Sequence, residues 1–202
     1  MIQTNRRLYV WAVLAAVSLC GFAHTAQASE ASAFLGAARI SDKSLGSLEV
    51  GDLPVALSDG FKTGGRLTLG GGLLAQEISY GYERHNLEVN GQKDSVTTVH
   101  QFFYDLVVHI LPGGSMVRPF VVGGAGLVRF VPGDSELLRL ASGETKFGWN
   151  YGGGVKIKLA PMFGVRFDVR DHVTSKPNFL NLPSVSGKLH DLEISGGVSL
   201  YF

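Results

Sequence analysis

The chain has 202 residues, 45% of them hydrophobic, with 18 Lys+Arg against 17 Asp+Glu and a formal net charge of +1. That balance supplies no basic field for nucleic acid, and a single cysteine, Cys20, excludes a disulfide framework. Beyond residue 28 no apolar run reaches the ~20 residues a membrane-spanning helix needs.

The first element is Met1 to Ala28, which reads as a secretory signal peptide. Arg6 and Arg7 form the positive start, Leu8 to Ala23 the apolar stretch, and Ala26-Gln27-Ala28 a small-x-small cleavage site. Cleavage is expected after Ala28, dividing the chain into a signal (1–28) and one domain (29–202). Leu19 before Cys20 fits a lipoprotein signal poorly, and the residues around Arg6-Arg7 fit twin-arginine export poorly. The signal holds two of the basic residues, no acidic one and the cysteine. The remainder therefore carries a net charge of −1 and must be held together by a core or by a membrane.

Eight alternating segments follow, near 32–41, 63–74, 76–87, 97–110, 117–130, 146–159, 163–174 and 190–202. Each is about as long as the 9–11 residues of a tilted membrane strand. Glycine is dense within them (Gly70-Gly71-Gly72, Gly123-Gly124, Gly152-Gly153-Gly154), which suits the crowding and curvature of a small barrel. Short connections are expected around Ala75, at Leu111 to Ser115 and at Ala160 to Met162. Longer polar ones are expected at 41–62, 86–96, 132–145 and 175–190. This short–long alternation is what an outer-membrane barrel with periplasmic turns and extracellular loops shows. The fold class is all-β: an eight-stranded antiparallel up-and-down transmembrane barrel, its eighth strand closing on the first.

The seventh segment sorts its faces most clearly, with Val165, Phe167 and Val169 on one side and Gly164, Arg166, Asp168, Arg170 and His172 on the other. In a soluble barrel the apolar face would point inward; in a membrane barrel it faces lipid and the charges fill the lumen. The charged faces carry both signs: Arg66, Arg129, Lys156, Lys158, Arg166 and Arg170 against Glu77, Glu83, Asp105, Asp168 and Glu193. Eight strands leave room only for side chains, and buried charges need partners. An interior ion-pair network is therefore expected, with Arg166, Arg170 and Glu193 meeting across the last two strands. Phe102, Tyr104, Phe120, Phe130, Trp149, Tyr151 and Phe202 are placed in interfacial aromatic girdles.

Catalytic and metal motifs are weak. Asp171-His172-Val173-Thr174 has an acid, a His and a hydroxyl, and small outer-membrane lipid A deacylases use a His and a Ser at this spacing. Here Thr174 stands in place of Ser, and His172 falls on the charged face. The glycine runs lack a following Lys-Ser/Thr or helix start and make no phosphate loop. The histidines show no metal-ligand spacing, and His100 and His109 point to opposite faces. Asp134, Glu136 and Glu144 read as acidic residues of a solvated loop. No cofactor, metal or catalytic residue is assigned, and the protein is not expected to be an enzyme.

Three stretches carry a family resemblance: the terminal Gly197-Val198-Ser199-Leu200-Tyr201-Phe202, the glycine-rich Pro119 to Gly126, and the pair Asn150 to Gly154 with Gly164 to Arg170. The mature chain resembles the outer-membrane β-barrel domain family of small OmpA/OmpX-type and opacity-type proteins. That resemblance implies the outer membrane of a Gram-negative-type bacterium, contact with its lipid and lipopolysaccharide, and insertion by the barrel-assembly machinery. Ser195, Gly197, Leu200 and Phe202 match the family's C-terminal insertion signal. It further implies a structural or surface-interaction barrel whose four long loops meet a receptor. A narrow channel or small-ligand transport barrel is the alternative, and a lipid A-modifying enzyme the remote one. No wall-binding domain is read after the eighth strand, so tethering of the cell wall is not expected.

Overall fold

A computed structural model describes residues 29–41, 43–48, 53–133, 143–177 and 187–202. The expected signal peptide and its cleavage site at Ala28 lie outside the described residues, as do Asp134 and Glu136. The described chain is strand throughout, apart from turns. Its elements are β1 (Ser29–Ser41), β2 (Ser44–Leu48), β3 (Leu53–Leu69), β4 (Leu74–Val89), β5 (Gln92–His109), β6 (Val117–Val131), β7 (Glu144–Lys158), β8 (Phe163–Ser175) and β9 (Lys188–Tyr201).

Strands β3 to β9 pair antiparallel, each with the next. β1 closes the ring by pairing with β9, from Glu30 opposite Tyr201 to Ser41 opposite His190. On its other edge β1 pairs with β3, from Ser29 opposite Leu69 to Ala38 opposite Gly60. The result is a closed barrel of eight strands, each paired on both sides, the arrangement that satisfies backbone groups in lipid. The short β2 is a ninth strand that pairs only with β3, where it extends one end of the wall.

Strand boundaries depart from the sequence reading in three places. The first short turn lies at Gly70-Gly71-Gly72-Leu73, where Gly70 takes φ 102°. Ala75, expected in that turn, is instead buried inside β4. The region 86–96 is not an open loop. β4 and β5 continue to a two-residue hairpin, with Val89 opposite Gln92 and Asn90 and Gly91 at φ 52° and 74°. Positive φ at both central residues is the primed turn that matches the twist of paired strands, and Asn-Gly is its strongest sequence signal. In the same way 41–62 is largely the β2–β3 hairpin rather than a free loop.

The inside–outside question is settled by burial. Phe102, Phe167 and Val198 are more than half exposed on the outer wall, whereas Arg166 on the inner wall is 1% exposed. Leu35, Leu67, Ile78, Leu106, Val121, Leu127, Val169, Ile194 and Leu200 continue the outer apolar belt. So large an apolar surface is a lipid-facing surface. Phe102, Tyr104, Trp149, Tyr151 and Phe202 are exposed on it. Phe120 and Phe130, expected in the girdles, are each 2% exposed and point inward, because they share the inward parity of β6 with Val122 and Val128. Arg129 falls on the opposite parity and stands on the outer face, which removes it from the expected inner set.

Candidate functional site: the filled lumen

From the loop end to the turn end, the interior is layered. Ile40, Val55, Leu57, Leu87, Val99, Phe103, Val128, Phe130 and Leu189 form an apolar plug at the loop end. Below it lies a band of charge, then a small apolar layer of Ala75, Val107, Phe120 and Val122, then an open vestibule between the short turns.

The charged band is built by period-two alternation, which sends every second residue of a strand inward. On β8 this aligns Arg166, Asp168 and Arg170. Arg166 donates to Glu77 from Nη1 (2.6 Å) and Nη2 (3.3 Å), and to Asp168 from Nε (2.8 Å). Arg170 donates to Glu77 (Nη2, 2.6 Å), Asp105 (Nη1, 3.0 Å) and Asp168 (Nε, 3.0 Å). Glu77 also accepts from Thr68 Oγ1 at 2.7 Å, and Asp105 from Asn150 Nδ2 at 2.8 Å. β4 and β8 are diametrically opposite in the ring order, so the Arg166–Glu77 pair bridges the full lumen. A second group joins Arg66 to Glu193, and Lys62 to Glu83 (2.7 Å) and Glu193 (2.9 Å). His85 Nε2 lies 3.0 Å from Glu83, and His172 Nε2 lies 3.1 Å from Glu193. Nearer the turns, Lys156 pairs with Glu30, which also accepts from Ser199 Oγ at 2.7 Å.

Nine of the ten charged residues expected in the lumen are buried there: Arg66, Glu77, Glu83, Asp105, Lys156, Arg166, Asp168, Arg170 and Glu193. Their partners differ from expectation. Arg166 and Arg170 reach across to β4 and β5, while Glu193 is taken by Arg66 and Lys62, because a guanidinium is long enough to cross this narrow ring. Lys158, the tenth, has inward parity but sits past the end of the packed interior. It is exposed at the mouth, its Nζ 5.3 Å from the centre of the Tyr201 ring.

Beyond the expected set, Glu30, Lys62 and Asp191 are buried in the lumen, joined by His85, which alternation along β4 puts on the same face as Glu77 and Glu83. Glu30 and Lys62 lie just before the expected starts of their strands, and moving those starts a few residues earlier brings both into the inward series. Gln101 Nε2 donates to Asp191 at 3.1 Å. In all, seven buried carboxylates (Glu30, Glu77, Glu83, Asp105, Asp168, Asp191, Glu193) face five buried cations (Lys62, Arg66, Lys156, Arg166, Arg170) among the described residues. The shortfall concentrates around Lys62, beside His85 and His172.

The acid–His–hydroxyl group of β8 comes apart. His172 points inward to Glu193, whereas Asp171 points outward to Tyr151 Oη (2.7 Å) and His190 Nδ1 (2.8 Å). Thr174 Oγ1 donates to the Phe147 carbonyl at 3.2 Å. The C-terminal residues divide between the faces. Ser195 is buried and bonded to Glu193, Gly197 packs inward against Phe34, and Leu200 and Phe202 are exposed on the apolar side.

Comparison with known proteins places this geometry. The family model described as "Outer membrane protein beta-barrel domain" matches residues 12–202. Among solved structures, OprG of Pseudomonas aeruginosa aligns with a TM-score of 0.60 at 16% identity, covering 88% of this chain and 98% of its own. Neisserial surface protein A aligns at 0.59 and 16% identity, covering 87% and 99%. AlkL, determined in lipid bilayers, aligns at 0.51 and 17% identity, covering 88% and 92%. No curated protein matches the chain. With its closed ring, apolar exterior and charged interior, this chain belongs to the outer membrane protein beta-barrel domain family and resides in the outer membrane of a Gram-negative bacterium.

Proposed function

We propose that this protein is a structural and surface-interaction barrel, not a pore: its lumen is closed, and its extended loop end meets partners outside the cell. The observation that supports this reading is the filled interior, in which Arg166 and Glu77 join opposite walls beneath a nine-residue apolar plug. No water path wide enough for a solute fits between such layers in an eight-stranded ring. The β2–β3 hairpin and the Asn90-Gly91 hairpin carry backbone beyond the apolar belt, where rigid strands hold a contact surface with little ordering cost. The barrel wall itself contacts outer-membrane lipid, with lipopolysaccharide on the loop side.

Conductance in a planar bilayer tests the closed lumen: the expected trace is flat, and a steady large current would overturn the reading. Trimming the loop-end hairpins while keeping the heat-dependent gel shift of a folded barrel tests the contact role. Cells carrying the trimmed protein are expected to lose surface attachment; attachment equal to the parent after all four loops are removed would refute it. Before export, Met1 to Ala28 serves as the signal peptide, and Ser195, Gly197, Leu200 and Phe202 as the insertion signal for the assembly machinery. Deleting Phe202 is expected to reduce the membrane-inserted fraction several-fold in cells while leaving refolding into detergent intact. Equal insertion of the deletion would remove that role.

A further inference from the structure

We propose that the vestibule at the short-turn end is an anion site that takes a phosphate dianion. It is a cup of about 540 Å³ between the turns, with Gly71, Gly72, Gly113 and Gly114 on its rim and Arg118, Lys156, Lys158 and Tyr201 on its wall. Between the cup and the charged band lies the apolar layer of Ala75, Val107, Phe120 and Val122, with the Arg166 guanidinium 4.6 Å and Lys156 Nζ 5.5 Å from the centre of the Phe120 ring.

Charge is the argument. Arg118 and Lys156 are direct cross-strand partners on β6 and β7, and both point inward. Like charges directly opposite one another on a sheet destabilise it. Lys158, two residues along the same face, adds a third cation diagonal to Arg118. One carboxylate answers them: Glu30, already bound by Lys156 and Ser199. Among the described residues neither Arg118 nor Lys158 pairs with an acid. Counting side chains, the local excess is two positive charges, matched in size by a phosphate dianion; the Phe202 carboxyl terminus, one residue past Tyr201, ion-pairs with none of the three among the described residues.

The arrangement is also held ready. One end of the Arg118 guanidinium is anchored, with Nη2 donating to the carbonyls of Gly71 (3.1 Å) and Gly72 (2.9 Å). Its Nε is buried with no partner, a donor left over. Lys158 rests against the Tyr201 ring with its ammonium free to turn. An anchored guanidinium beside the free ammonium of Lys158, with Lys156 shared with Glu30, is a preorganised oxyanion holder. The phosphate can come from two sources, free inorganic phosphate or the phosphomonoester headgroup of a lipid in the adjoining leaflet.

The test uses the full chain folded in a phosphate-free maltoside detergent and titrated with inorganic phosphate, read by amide shifts. Saturable shifts confined to 71–74, 113–118, 156–158 and Tyr201 are expected. The double substitution Arg118→Gln with Lys158→Gln should weaken the apparent Kd at least tenfold while retaining the heat-dependent gel shift. Lys158→Gln alone changes an exposed side chain and serves if the double variant does not fold; it should weaken binding about threefold or more. Absence of saturation, equal shifts at distant Lys93 and Lys188, or affinity unchanged by the substitutions would overturn the proposal. Nanodiscs separate the sources. A fall in apparent phosphate affinity as phosphatidic acid replaces phosphatidylcholine identifies the headgroup as occupant, and unchanged affinity identifies free phosphate.

Discussion

Glu77→Gln probes the energetics of the lumen. The Glu77 carboxylate has an arginine on each oxygen: Arg170 Nη2 and Arg166 Nη2 on Oε1, at 2.6 and 3.3 Å, and Arg166 Nη1 on Oε2, at 2.6 Å. Glutamine keeps the shape but turns one oxygen into an NH2 group. Whichever way the amide lies, that NH2 meets a guanidinium donor at a distance that had been a charge-assisted bond. Breaking one partner out of a buried ionic group costs about 3–5 kcal/mol, and both guanidiniums lie in the packed band, each 1% exposed. At about 1.4 kcal/mol per decade, the folded-to-unfolded ratio should fall by about two to three and a half orders of magnitude. Asp191→Asn is the matched comparison. Asp191 belongs to the acid-rich group around Lys62, whose Nζ lies 3.9 Å from its Oδ2 while sitting closer to Glu83 and Glu193, and it accepts one hydrogen bond, from Gln101 Nε2, among the described residues. Removing its charge relieves an excess, so its effect should stay within about 1 kcal/mol. The assay is urea unfolding of the 29–202 chain from lipid vesicles, followed by the fluorescence of Trp149, its single tryptophan, which faces outward. If Glu77→Gln falls within about 0.5 kcal/mol of the parent, or if the two substitutions cost the same, the network does not hold the barrel in the way argued.

Two further outcomes follow from backbone geometry. A Cβ at Gly152 would lie 2.2 Å from the Val169 carbonyl and 2.7 Å from Arg170 Cα, so Gly152→Val should overpack the β7–β8 wall, cost roughly 1–3 kcal/mol or more, and lower the folded fraction in the same urea assay. At the hairpin tip, Gly91→Ala forces a side chain into a left-handed residue (φ 74°), a cost of about 1–2 kcal/mol. That cost should appear as faster amide exchange over 87–94, with the global unfolding free energy lowered by no more than the same amount.

Period-two alternation was legible wherever it was strong. Arg166, Asp168 and Arg170 on β8 announce one wet face, and Val165, Phe167 and Val169 announce the opposite one. Where glycine and alanine dilute the pattern, the boundaries slipped: β3 begins at Leu53 rather than near 63, and Lys62 was lost with the missing residues. The Asn90-Gly91 signal was present in the sequence, but the polar residues around it read as loop. Parity with Val122 and Val128 puts Phe120 and Phe130 inside, and on β6 it outweighs the preference of aromatic rings for the membrane interface.

The sequence by itself determined the strand count of the barrel, the closure of the last strand on the first and the identity of the charged faces. All of these follow from local alternation and turn spacing, which depend on neighbours a few residues apart. Tertiary structure alone decided which charges meet. Arg166 chooses Glu77, 89 residues away, because ring closure sets β4 opposite β8 across a lumen narrow enough for one guanidinium to span. The same closure leaves Lys158 and Arg118 without an acidic partner at the mouth among the described residues, since the packed interior ends one layer above them. Pairing across a closed ring depends on its diameter and stagger, and no segment of the chain encodes either one alone.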